Sequence, residues 1–181
     1  MKVAGEILAV FSQRGAGAYF GESISMMEHA LQAAYFARAG GASPCLIIAA
    51  LLHDVGHLVV DVSDDLADWI EDAQHEIVGS AWLAGRFPME VSEPVRLHVP
   101  AKRYLCATNE RYFSKLSSAS VATLKLQGGA MSAAEVARFE AERYHGDAIK
   151  VRQWDDRGKI PGLVTPRLED YRALIEELQT Y

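Results

Sequence analysis

The stretch 49–60, "AALLHDVGHLVV", places His53, Asp54 and His57 inside a run of Ala, Leu and Val. A helix that is apolar on all sides belongs in a core. Burying an unpaired polar group costs roughly 1–3 kcal/mol, and more for a charge. The rest of the chain must therefore enclose this segment and bring partners to its histidines and aspartate. No other feature constrains the fold as strongly.

The flanking pattern is helical. Residues 23–39 carry Ile24, Met27, Leu31, Ala34 and Tyr35 close to a 3.6-residue period. Gly40-Gly41 ends that helix, and Ser43-Pro44 opens the next in N-cap and N1 order, predicting a helix from 44 to about 59. Further helices are predicted over about 72–86, 89–97, 111–125, 133–144 and 167–179, with Ser132 and Glu135 as a capping box. Gly128-Gly129 and 158–166 read as loops. No segment alternates with period two, and no repeat or flexible linker divides the 181 residues. The expectation is an all-α helical bundle, one domain over 1–181 around a single core.

Charge and cysteine content narrow the function classes. A formal net charge of −6 without a basic stripe argues against nucleic-acid binding by phosphate neutralisation. Cys45 and Cys106 lie far apart and outside any CxxC pair, so both read as small buried hydrophobes rather than thiolate ligands or a disulfide. No run approaches the roughly eighteen apolar residues of a membrane span, and the N-terminus lacks a leader pattern. A soluble, cytoplasmic protein is expected.

Six histidines remain to be placed. Any one alone reads as a core histidine bonded to a carbonyl. Together with Asp54 and Asp155 they form a nitrogen and oxygen ligand set without sulfur, which suits Fe, Mn, Zn, Ni or Co. The side chains of His53 and Asp54 diverge by about 100° around a helix and still converge on an ion at its flank. Asp54 could bridge two ions, compensating its charge. Asp156 reads as a solvated neighbour, and His145 beside Gly146 as a surface residue.

The order His29, His53-Asp54, Asp155 resembles the H…HD…D pattern of the HD-domain superfamily of all-α metalloproteins, over nearly the whole chain. His75 in "AQHEIVG" and His98 in "RLHVPAKRY" match its two-metal subset. The resemblance implies a first ion on His29, His53, Asp54 and Asp155, and a second on Asp54, His75 and His98. Most HD proteins are phosphohydrolases; a smaller branch, related to myo-inositol oxygenase, uses two irons to activate O₂.

"YFGESISMMEH" resembles the Tyr-x-Gly-Glu segment of the HD-type oxygenases that cleave 1-hydroxy-2-aminoethylphosphonates. It implies that Tyr19 closes an iron coordination position until substrate arrives and that Glu22 meets the substrate ammonium. The bland alternative is a buried tyrosine and a glutamate favoured at a helix start. Lys102, four residues after His98, puts an ammonium on the same helix face for a phosphonate oxygen. "LSSASVATLKLQGG" is similar to the phosphonate-binding segment of these enzymes, with Ser120 and Gln127 two helical turns apart. Arg152 matches an arginine three before the late aspartate, either a phosphonate ligand or a partner of Asp155. His57 is shared by the branch and reads as a phosphonate contact, a proton-transfer group or a structural support.

The resemblance implies O₂-dependent cleavage of a C–P bond at a mixed-valence Fe²⁺/Fe³⁺ pair, with a small organophosphonate as substrate. A trimethylammonium head group would give glycine betaine and phosphate; a primary amine would give glycine and phosphate. The acidic segment "DVSDDLADWIEDAQHE" with Trp69 suits a quaternary cation and tips the reading to the trimethylated substrate. A phosphohydrolase and a non-catalytic binding module are the rival readings.

Overall fold

A computed structural model describes residues 2–19, 21–59 and 74–180. They form ten helices: α1 (Val3–Arg14), α2 (Met26–Ala39), α3 (Pro44–Leu52), α4 (Gly56–Val59), α5 (His75–Ala84), α6 (Met89–Thr108), α7 (Ser118–Leu126), α8 (Ala133–Glu140), α9 (His145–Arg157) and α10 (Arg172–Leu178). Short 3₁₀ turns occupy Phe113–Lys115 and Leu168–Tyr171, and no strand occurs among the described residues. The architecture is the all-α bundle expected. No described helix is long and apolar enough to cross a membrane.

Helix α3 is the axis of the bundle. Its residues from Leu46 to Leu52 are all buried, and α2, α6, α9 and α10 pack around it. Side-chain caps set the helix starts. Ser25 and Glu28 form a capping box on α2, Ser43 accepts from the Leu46 N–H ahead of α3, and Ser132 and Glu135 cap α8 as expected. A smaller cluster of Leu97, Ala101, Phe139, Tyr144 and Ala148 joins α6, α8 and α9.

Several boundaries depart from the sequence reading. The helix predicted over 44–59 stops at Leu52, turns through His53–Val55 and resumes as α4. The turn carries the polar residues, so they sit at a helix end, where free backbone carbonyls are available. Helix α6 runs to Thr108, through Pro94 and Pro100, instead of ending near residue 97. An interior proline costs about 3 kcal/mol, and the packing of α3, α5 and α9 on this helix overrides that local cost. The helix predicted over 111–125 begins only at Ser118, because Ser117 caps it. The one predicted over 133–144 ends at Glu140, and 167–179 opens with a 3₁₀ turn.

Two helices were not anticipated. Helix α1 buries Ala4, Ile7 and Phe11, and α9 buries Ala148, Val151, Arg152, Trp154 and Asp155. Cys45 and Cys106 are only partly buried; Cys45 packs on the core from the first turn of α3, and Cys106 lies in the last turn of α6.

One contact brings the α3–α4 turn against α5. A Cβ at Gly56 would overlap the His75 carbonyl, and one at Gly79 would lie 3.1 Å from the Gly56 nitrogen. Only a bare backbone allows the two helices to approach this closely. Gly56→Ala should therefore cost about 1–3 kcal/mol of stability and displace His75 from Asp54. Thermal unfolding and metal analysis of the variant check this; an alanine protein with unchanged melting temperature and metal content would exclude the contact as a determinant.

Candidate functional site

His29 comes from α2, His53 and Asp54 from the turn after α3, His75 from the first residue of α5, His98 from α6 and Asp155 from α9. All six are buried, none more than 7% exposed. The two oxygens of Asp54 divide the histidines. Oδ2 lies 3.6 Å from His29 Nε2 and 3.4 Å from His53 Nε2. Oδ1 lies 3.3 Å from His75 Nε2 and 3.4 Å from His98 Nε2. His29, His53 and Asp54 form one group able to hold a metal ion, and Asp54, His75 and His98 form another. Asp155 joins the first group, with Oδ1 3.5 Å from His29 Nε2.

The hydrogen bonds of the rings test whether a cation fits. His29 Nδ1 meets the Gly158 carbonyl at 2.8 Å, His53 Nδ1 that of Ala50 at 2.8 Å and His98 Nδ1 that of Val95 at 2.7 Å. A carbonyl only accepts, so each Nδ1 carries the proton and a neutral ring turns a bare lone pair outward at Nε2. His29 Nε2 and His53 Nε2 nevertheless stand 3.0 Å apart. Two facing lone pairs at that distance repel unless a cation lies beside them. Asp155 Oδ1 is buried and accepts no hydrogen bond among the described residues. The donor set thus fits a metal chelated by nitrogen and oxygen.

Electrostatics agree. Burial, then the neighbouring His53, pushes the His29 pKa down to about 4. Burial, then His57, pushes that of His75 down to about 3. Burial would raise the Asp54 carboxyl, but His53, His75 and His98 hold it well below the ordinary range. Neutral imidazoles and ionised carboxylates are the protonation states that ligate metals.

A cavity of about 50 Å³ opens beside these groups. Of the residues singled out in the sequence, Tyr19, His57, Lys102, Ser120, Gln127 and Arg152 line it. The Tyr19 hydroxyl donates to Asp54 Oδ2 at 2.9 Å and its ring stacks on His29 at 3.8 Å. His57 stacks on His75 with ring centroids 4.0 Å apart. Lys102 is 2% exposed and donates to Thr123 Oγ1 at 2.9 Å. Burial, reinforced by Arg152, pushes its pKa down to about 7. Gln127 Oε1 is buried without a hydrogen-bond partner among the described residues.

Arg152 is a partner of Asp155. It donates from Nη1 to Asp155 Oδ2 at 2.6 Å, from Nε to the Tyr112 hydroxyl at 2.9 Å, and from Nη2 to Ser120 Oγ at 3.3 Å and to Asp156. Asp156 is accordingly no solvated neighbour; it accepts from Arg152 and, at 2.5 Å, from the Tyr112 hydroxyl. His145 is partly buried, its Nδ1 meeting the Glu142 carbonyl at 2.8 Å at the start of α9, rather than free on the surface.

Glu22 lies in the turn that holds Tyr19. Its N–H donates to the Tyr19 carbonyl at 2.7 Å, and its Oε1 is buried without a hydrogen-bond partner among the described residues. Trp69 lies outside the described residues. Sequence reasoning missed Lys159, Thr123 and Tyr112. Lys159 falls in a stretch read only as loop, and nothing in its local pattern marks it. Thr123 lies one turn after Ser120, a spacing that would have pointed to it.

Comparison with known proteins fits this geometry. No family model matches the chain. The hydroxymethylphosphonate dioxygenase of Gimesia maris is 47% identical over 159 residues, covering 87% of this chain and 79% of that protein. The glycine-betaine-forming [1-hydroxy-2-(trimethylamino)ethyl]phosphonate dioxygenase of Leisingera caerulea is 41% identical over 169 residues, covering 93% and 86%. The chain belongs to the HD-domain phosphonate dioxygenases. An uncharacterised mimivirus protein, L432, is a more distant relative, 33% identical over 174 residues. As a phosphonate dioxygenase of this family the protein is a metal-dependent oxygenase, and its two His/Asp groups are where metal can be held.

Metal bound to the native state alone stabilises it by about 4 kcal/mol at a thousandfold excess over Kd. For a chain of this size, stripping it with EDTA should lower the melting temperature by about 8–16 °C. Asp54→Ala, which removes the carboxylate common to both groups, should abolish that shift and cut bound metal more than tenfold by elemental analysis. An unchanged metal content in the variant would exclude Asp54 as a ligand.

Proposed function

We propose that the protein holds two iron ions, one on His29, His53, Asp54 and Asp155 and one on Asp54, His75 and His98. With O₂ it would then cleave the C–P bond of a 1-hydroxy-2-aminoethylphosphonate-type substrate. The N-trimethylated compound is the first candidate, giving glycine betaine and phosphate; the primary amine, giving glycine and phosphate, is its close alternative. Bound iron supplies O₂ activation and a place for the substrate hydroxyl and a phosphonate oxygen. One O₂ is consumed per substrate, and the four electrons that it accepts come from the C1–H and C1–P bonds. Carbon leaves as carboxylate and phosphorus as phosphate. The phosphohydrolase reading loses its support once the relatives are dioxygenases.

The residues of the chain divide the remaining work. Lys102, Ser120 and Gln127 bind the phosphonate, with Arg152 holding Asp155 behind them. Tyr19, bonded to Asp54, covers the metal centre on the side of His29 and must move for substrate to ligate. His57, stacked on His75 and facing the cavity, is placed to touch the phosphonate or pass a proton. The observation that carries an ammonium head group, of either kind, is the buried Oε1 of Glu22, which has no hydrogen-bond partner among the described residues; the preference for the trimethylated form rests on the acidic segment around Trp69. A buried carboxylate oxygen wants a cation, and an ammonium head group supplies one.

The relative from Gimesia maris favours a second reading, hydroxymethylphosphonate, which has no head group at all. The small cavity suits it. Phosphorus NMR of the iron-loaded, reduced enzyme in air separates the three substrates. Phosphate from the trimethylated compound, and only with O₂, is the expected outcome. No phosphate from any of the three would overturn the reading. Glu22→Gln should raise KM for either ammonium substrate by about tenfold, the loss of one charged contact. It should leave hydroxymethylphosphonate turnover unchanged.

A further inference from the structure

Gln32 is 1% exposed in the middle of α2, and neither the metal centre nor the roles assigned above use it. Its side chain forms two hydrogen bonds with one residue: Nε2 donates to the Ile160 carbonyl at 2.8 Å, and the Ile160 N–H donates to Oε1 at 2.9 Å. Two residues earlier, the Gly158 carbonyl is held by His29 Nδ1 at 2.8 Å. A Cβ on Gly158 would lie 3.3 Å from the Ala33 nitrogen and the His29 carbonyl oxygen, so the backbone runs close against α2. The residue between these two clamps is Lys159.

The clamps turn Lys159 into the cavity. Its side chain is 11% exposed, and Nζ donates to Ser120 Oγ at 3.0 Å and lies 3.7 Å from Asp155 Oδ1. Ser120 Oγ also accepts from Arg152 at 3.3 Å. A hydroxyl oxygen has two lone pairs. With both engaged by cations, the Ser120 O–H must donate elsewhere. Arg152 is divided between Asp155 and Asp156, so Lys159 is the cation that can join Lys102, which stands bonded to Thr123 in the same cavity.

We propose that Lys159, positioned by the Gln32 and His29 clamps, is an anion-binding residue. It would contact a phosphonate oxygen directly and polarise Ser120 into a hydrogen-bond donor to the same group. This deepens the reading above, resting on the substrate being a phosphonate. It predicts that the cavity favours a dianion over a monoanion of similar size.

The test is turnover-free: isothermal titration of the metal-loaded protein with inorganic phosphate and with methylphosphonate. Lys159→Met keeps the aliphatic stem and removes the charge. It should weaken both anions at least about tenfold, the factor carried by a lost charge-assisted hydrogen bond, with bound metal and melting temperature unchanged. Lys159→Arg should recover part of the loss. Gln32→Met, which leaves the charge but frees the loop, should give a smaller loss of the same kind. In turnover, Lys159→Met should raise KM more than it lowers kcat. Anion affinity within twofold of the parent in Lys159→Met would overturn the proposal while leaving the oxygenase reading intact. Loss of metal in that variant would overturn it too, making Lys159 a support for Asp155. No anion binding by the parent protein would overturn both.

Discussion

Everything in the site depends on one carboxylate. Asp54 faces four imidazole nitrogens, two on each oxygen, at 3.3–3.6 Å. Those four histidines arrive from α2, the α3–α4 turn, α5 and α6, so the carboxylate can be satisfied only when all four elements are in place. Burying an ionised carboxylate without compensation is prohibitive. Metal compensation makes the polar interruption of an apolar run tolerable. The end of α3 gives His53 the Ala50 carbonyl, and within α6 His98 reaches the Val95 carbonyl three residues back.

Backbone carbonyls therefore do more than terminate helices. Ala50, Val95 and Gly158 each hold one ring nitrogen, fixing tautomer and ring orientation before any ion arrives. His75 is the exception. Its Nδ1 lacks a hydrogen-bond partner among the described residues, and Glu76 Oε2 stands 3.7 Å away. Its ring is steadied instead by stacking on His57 and by the backbone contact of Gly56 with the His75 carbonyl. The two metal groups are thus supported differently: one by carbonyl clamps and Asp155, the other by one carbonyl clamp and packing.

Much of this was legible in the sequence because ligand chemistry depends on residue type and order. His29, His53-Asp54, His75, His98 and Asp155 could be chosen before any contact was known, and they converge. The caps at Ser43-Pro44 and Ser132 were equally readable, since capping is local. What escaped was set by tertiary contacts. Helix α9 hides its periodicity because its buried face includes Arg152 and Asp155, which look like surface residues until the metal centre is built around them. Helix α6 continues through Pro100 because its neighbours hold it, which no window of sequence contains. Asp156 looks solvated beside Asp155; Arg152 reaches it from one turn earlier on α9, a helix the sequence reading missed, and the fold brings Tyr112 to it.

Lys159 shows the same limit from the functional side. In sequence it is one cation in a glycine- and proline-bounded loop, a place where lysines are ordinarily solvated. Its loop is instead fastened to α2, the helix that supplies His29, through Gln32 and through His29 itself. The ring that can ligate a metal therefore also holds the loop that faces the substrate cavity. One helix thus fixes both the orientation of a ring that can ligate a metal and the wall of the cavity where Lys159 stands, so the packing of α2 positions the two together.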